Sequence, residues 1–250
     1  MSVDDTPATG RKHAHRRLLA AFALVALLGA EPGTASAGSL GGVVSDRLSA
    51  DSLPVPAVPP ALLLADNFTT AGAVDLRVPE HVHLTGTAWV QARGKWAVRN
   101  GYLDPPMAPQ SMVTYPAGTA NVTVEVVATI TSAFDFGVVL WSDPAGTKYL
   151  VAHIAGANAA ATNVVSLDAV VGNSTTTLVT GTVASALPSF VLSVTAVGNA
   201  VTVRRNGVTL LSPLLSPLMM QTFAGLTSVG LWVSSSGNEI LDDVRAFTST

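Results

Sequence analysis

The chain has 250 residues, 48% of them hydrophobic and only 12% charged, with a formal net charge of −3 and no cysteine. That apolar content suffices for a sizeable core, and the missing cysteines exclude a disulfide framework. Beyond residue 37 the nine Lys and Arg are scattered along the chain, which argues against nucleic acid as a partner.

At the N-terminus Arg11, Lys12, Arg16 and Arg17 precede an apolar stretch from Leu18 to Ala30, and small residues follow at Ala35-Ser36-Ala37. A basic segment, a short apolar run and small residues predict a signal peptide over residues 1–37, cleaved before Gly38. Arg16-Arg17 also admits twin-arginine export. Glu31, Pro32 and Gly33 end the run short of the roughly 20 apolar residues a membrane span needs. No stable membrane insertion is therefore expected after cleavage, and the expected address is secreted or cell surface. Residues 38–62 are rich in Gly, Ser and Pro and end in alternating prolines, the composition of a stiff, extended linker.

The domain is expected over residues 63–250. Ala65 to Phe68 reads as a first strand. Trp89, Trp96 and Tyr102 follow in short apolar runs separated by Arg93-Gly94 and Asn100-Gly101, both turn signals. Val122, Val124 and Val126 alternate with Thr123, Glu125 and Val127, the period of a half-buried strand.

Runs from Phe134 to Trp141 and from Lys148 to Ile154 flank Asp143-Pro-Ala-Gly146, a hairpin turn. Further pairs surround Gly172-Asn173, Gly198-Asn199 and Asn206-Gly207. A two-residue turn at Asn206-Gly207 pairs Val203 with Leu210 and Arg204 with Thr209. Ala155–Ala161 reads as a loop, and Leu214–Phe223 as a connecting loop or one short helical turn. About a dozen strands with no long 3.6-residue period predict an all-β, two-sheet antiparallel sandwich.

The phrases Ala65-Asp-Asn-Phe68, Trp89 to Leu103, Phe136-Gly-Val-Val-Leu-Trp141 with Tyr149-Leu-Val151, Val201-Thr-Val203, Val229-Gly-Leu231 and Leu241 to Phe247 occur in an order that resembles the concanavalin A-like lectin/glucanase, or laminin-G-like, jelly roll of secreted bacterial proteins. Gly38–Ala50 resembles the segment after the signal in certain actinobacterial surface proteins. The resemblance implies a jelly roll whose first and last strands lie together, bringing Asp66 near Asp242 and Asp243. It also implies carbohydrate-binding, adhesive, virion-associated or glucanase relatives, among which fold alone does not choose.

Retaining glycosidases need two carboxylates about 5 Å apart. Of the glutamates Glu80, Glu125 and Glu239, only Glu239 has another carboxylate, Asp242, within three residues, so a hydrolase is the weakest reading and no catalytic residue is assigned. His81 and His83 have chelating spacing but lack a glutamate downstream, and His153 is remote in sequence. No cofactor is expected beyond a candidate structural calcium at Asp66, Asp242 and Asp243, whose oxygens suit that ion. Sugar faces stack on aromatic rings, which singles out Trp89, Tyr115, Trp141 and Tyr149 as a glycan site, whereas Trp96 and Trp232 read as core. Asn67, Asn121 and Asn173 begin Asn-x-Ser/Thr triplets. The resulting expectation is an exported, non-enzymatic domain that binds glycan or envelope polysaccharide or acts in adhesion. A structural surface or virion-decoration protein with no small ligand is the alternative, and a glycoside hydrolase the second.

Overall fold

Alternation decides where the layers lie. In β7 (Val122–Ile130) every second residue, from Val122 through Ile130, is buried while the intervening Thr123, Glu125, Val127 and Thr129 are partly exposed, so this strand lays one face on a core. The computed structural model describes residues 59–68, 74–75, 89–99, 101–105, 110–130, 132–157, 161–184, 188–234 and 239–250. The predicted signal peptide, most of the predicted linker, His81 and His83 lie outside the described residues.

The other strands in chain order are β1 (Leu62–Asp66), β2 (Val74–Asp75), β3 (Val90–Arg93), β4 (Ala97–Arg99), β5 (Tyr102–Asp104) and β6 (Ser111–Pro116) before β7. After it come β8 (Ala133–Ser142), β9 (Lys148–Ala157), β10 (Thr162–Val171), β11 (Ser174–Ala184), β12 (Ser189–Val197), β13 (Ala200–Arg205), β14 (Val208–Leu211), β15 (Ser228–Val233) and β16 (Glu239–Thr248). One short helix, α1 (Pro217–Thr222), precedes β15, with Pro217 in its first turn and the Ser216 hydroxyl accepting from the Met219 N–H.

The strands form two antiparallel sheets. A nine-stranded sheet runs β14-β13-β12-β7-β16-β5-β4-β2, with β1 also pairing β16, and a seven-stranded sheet runs β11-β10-β9-β8-β15-β6-β3. The main core lies between them, built from Val122, Val124 and Val126 on one side and Phe136, Val138, Leu150 and Leu167 on the other. This is the two-sheet sandwich the sequence predicts. Among the described residues no helix is long and apolar enough to cross a membrane.

Two local expectations are corrected. The pairing of Arg204 with Thr209 holds, but Val203 pairs with Leu211 because the register shifts by a bulge at Val203/Arg204. The bulge lets Leu211 become buried and leaves Leu210 only partly so. The loop expected at Ala155–Ala161 is strand as far as Ala157. Gly156 lies against the Asn163 side chain, where any larger residue would collide.

Candidate functional site

The outer face of the seven-stranded sheet carries a second apolar cluster of Met112, Val139, Tyr149, Val151, Val170 and Trp232. At its centre Gly137 on β8 stands between Trp232 on β15 and His153 on β9, its cross-strand partners on either side. A Cβ on Gly137 would come within 2.6 Å of the His153 Cβ. Glycine leaves the space through which the two rings meet edge-on, with centroids 5.2 Å apart.

The His153 ring is held by both nitrogens. Nδ1 lies 2.8 Å from Asp135 Oδ1 on β8, and Nε2 lies 3.2 Å from Asp168 Oδ2 on β10. Burial alone would lower the imidazole pKa, but the two carboxylate hydrogen bonds and charges reverse this and raise it to about 9. The Asp168 carboxyl is held below its ordinary value: burial pushes upward, and the His153 hydrogen bond, the Thr177 hydroxyl and the imidazolium charge outweigh it. Burial raises the Tyr149 phenol, with Arg93 opposing. The Trp232 N–H also opposes but does not reach hydrogen-bond geometry.

This cluster is an ion triad. Both ring nitrogens are committed, and the imidazole occupies the space between the carboxylates. Ser166, directly across from His153, is buried and makes no hydrogen bond to it among the described residues, so no serine–histidine couple forms. Glu239 is 2% exposed, and its Oε1 accepts from the Asp135 N–H at 2.9 Å, joining β16 to β8. Glu239 faces inward with Leu241 while Asp242 does not, so these carboxylates do not converge.

The four aromatics expected to stack on sugar are all buried, at 3% or less exposure. Trp89 packs edge-on to Tyr115 and donates to Asp66 Oδ2 at 2.9 Å. Tyr115 donates to the Leu63 carbonyl. Strict alternation would put Trp141 outward with Val139, but its φ of +50° swings it into the main core, beside Phe223, with its N–H on the Ala120 carbonyl. Tyr149 lies in the outer cluster beneath the Arg93 guanidinium, 5.8 Å from the ring centroid. A covered ring offers no face to a sugar. Trp96 is core as expected, whereas Trp232 belongs to the outer cluster.

Asp66 pairs with Val244 on β16, so the first and last strands lie together as the resemblance implies. Asp66 Oδ1 accepts from the Phe68 N–H. Burial, followed by the charges of Asp243 and Asp66, raises Asp242 to about 6 even though the Asp243 N–H bond pulls it down. Among the described residues no three His, Cys, Asp or Glu side chains are grouped so as to hold a metal ion.

The open site lies on the other sheet. The outward residues of β12, β7 and β16 form rows across the nine-stranded sheet: Thr195, Thr123 and Phe247 in one, Ser193, Glu125 and Arg245 in the next. A depression of about 520 Å³ is lined by Thr123, Glu125, Thr195, Phe247, Thr248 and Ser249 among others. Thr123 bonds both the Thr195 and Ser249 hydroxyls, at 2.9 and 2.7 Å. Phe247 is half-buried, and the Glu125 carboxylate makes no hydrogen bond or ion pair among the described residues. An aromatic edge, a carboxylate and several hydroxyls thus meet on one shelf. Sequence reasoning missed it, because these residues appear there only as the polar phase of three distant strands and a terminal Phe.

No protein-family model and no curated protein sequence matches the chain. Several solved structures are similar in shape. Carbohydrate-binding module CBM66 from Bacillus subtilis is 11% identical, with 64% of this chain and 92% of the module covered at a TM-score of 0.42. The catalytic domain of an endo-1,3-beta-glucanase from Thermotoga petrophila is 10% identical over 76% of this chain and 98% of its own, at 0.46. A Caenorhabditis elegans galectin is 15% identical over 57% and 93%, at 0.38. These are the classes the sequence phrases resemble, and at such identities and TM-scores no residue role and no activity passes from them to this chain.

Proposed function

We propose that this chain is an exported, non-catalytic sandwich module that holds a glycan against the outer face of its nine-stranded sheet. The observation that carries the reading is the shelf around Phe247: a half-buried ring for the apolar face of a sugar, Glu125 to accept from its hydroxyls, and Thr123, Thr195, Thr248 and Ser249 at the rim. Its volume falls within the range of small-ligand sites. The locked Asp135–His153–Asp168 triad and the inward Glu239 support a binding role over a catalytic one.

Screening the folded full-length chain on a glycan array, followed by titration of any hit, tests this. Glu125→Gln should weaken binding about tenfold, the scale of one hydrogen bond to a charged group, and Phe247→Ala should weaken it by removing the ring on which the sugar rests. A folded protein that retains no glycan, or retention untouched by both substitutions, sinks the reading. A structural surface role without small ligand is the second reading, favoured by the four buried tryptophans and the apolar plug on the seven-stranded sheet. Saturable glycan binding would exclude it.

A further inference from the structure

The charges beside the shelf are arranged in one row. Arg204 on β13 stands across from Ser193, Ser193 across from Glu125, and Glu125 across from Arg245. Neighbouring strands are about 4.8 Å apart, so the two arginines lie roughly 14 Å from each other. Ser193 is buried among them, while Arg204 is partly exposed and Arg245 exposed.

What distinguishes these arginines is that no described residue uses them. Arg93 donates to Gln110 and lies over Tyr149, and Arg205 donates to the Ala184 carbonyl and lies over Phe190. Those are the other two arginines whose side chains are described. Arg204 and Arg245 make no hydrogen bond or ion pair among the described residues, even though Glu125 is the cross-strand neighbour of Arg245. In a chain with only 12% charged residues, two guanidinium groups with no partner among the described residues stand at the ends of a row that holds Glu125 between them, and Arg245 shares a depression with Asp66 and Asp243.

We propose that the ligand of this face is an anionic glycan, carrying carboxylate or phosphate groups that Arg204 and Arg245 bind at the two ends of the row while a sugar ring rests on Phe247. The inference builds on the glycan-binding reading above and adds the charge of the ligand. Guanidinium forks match both anions bidentately, whereas Glu125 between them accepts from sugar hydroxyls and keeps the anionic groups at the ends.

The test titrates the full-length protein with polygalacturonate, its fully methyl-esterified counterpart and a phosphodiester-bearing mannan. One of the two anionic polymers should bind at least about tenfold tighter than the ester, the scale of one charge-assisted hydrogen bond. The Arg204→Gln/Arg245→Gln double variant should lose that advantage. The preferred polymer identifies carboxylate or phosphate as the anion. Binding of neither anionic polymer above the ester, or an unchanged double variant, overturns the anionic assignment but leaves the glycan reading intact as long as Phe247→Ala weakens binding of the ester. Failure of all three polymers to bind the folded wild type overturns the assignment, and the glycan array decides the wider reading separately.

Discussion

His153 and Trp232 meet edge-on across the backbone of Gly137, their ring planes 67° apart and centroids 5.2 Å apart. The contact spans two strand spacings because the residue between has no side chain. It joins an ion triad to the apolar cluster on the outer face of the seven-stranded sheet.

The triad gives stability an alkaline limit. His153 is raised to about 9 in the folded chain from an ordinary 6.5, so its contribution is complete below pH 6.5 and is lost as pH rises through 9. A neutral imidazole has one N–H for two carboxylates and leaves one of them facing a lone pair. Urea unfolding should therefore show stability falling by on the order of 2–3 kcal/mol between pH 6.5 and about 10. His153→Gln should flatten that fall, and a wild-type profile already flat there contradicts the assignment.

Asp242 acts in the same direction at lower pH. Its folded pKa of about 6 lies above the ordinary 3.8, so the folded state holds the extra proton between those values and stability declines as pH rises through that window. Asp242→Asn keeps an oxygen to accept the Asp243 N–H and removes the charge. At pH 7 it should stabilise the protein by about 1 kcal/mol, discounted for partial exposure, and the gain should vanish below pH 4. Thermal melts of both proteins at pH 4 and pH 7 check the sign.

Gly137→Ala should destabilise by about 3 kcal/mol, because the new methyl would lie 2.5 Å from the Ala152 carbonyl oxygen as well as against His153, and backbone cannot yield as a side-chain tip can. Gly181→Ala is the contrast. There the nearest atom is the Leu211 Cδ2 at 3.2 Å, the end of a flexible side chain, and the cost should stay within about 1 kcal/mol. Denaturant midpoints of the pair would show whether close approach or mere loss of glycine matters.

Trp141→Ala should cost about 3–5 kcal/mol through loss of a fully buried indole and of its bond to Ala120. Glycan affinity of the remaining folded protein should be unchanged, because Trp141 lies in the core and lines no part of the shelf. A selective loss of affinity with unaltered stability would return Trp141 to the binding surface.

Much of the strand pattern is legible from local chemistry. The valines of β7 alternate because only one face of that strand meets the core, and Asn206-Gly207 forms a turn in which both residues have positive φ. The Asp143 turn is equally readable, since its carboxylate accepts from the Thr147 and Lys148 N–H groups. Less legible were β8 and β9, apolar on both faces: their runs do not say that Phe136 and Leu150 enter the sandwich while Val139 and Tyr149 join a second cluster outside it. The aromatic assignments failed for the same reason. A tryptophan in a strand is equally consistent with either face, and at Trp141 one positive φ reversed the face that alternation assigns.

By itself, then, the sequence determined that this chain makes many short antiparallel strands, lacks disulfides and offers few carboxylates, because composition, turn chemistry and two-residue periodicity act over neighbouring residues. Only the tertiary structure decided which rings are covered, that His153 lies between Asp135 and Asp168, and that Phe247, Glu125 and the threonines share a shelf. Those are relations among residues far apart in the chain, 124 residues in the case of Thr123 and Phe247. They depend on register, and a shift of one residue exchanges the two faces of a strand while leaving its local pattern unchanged.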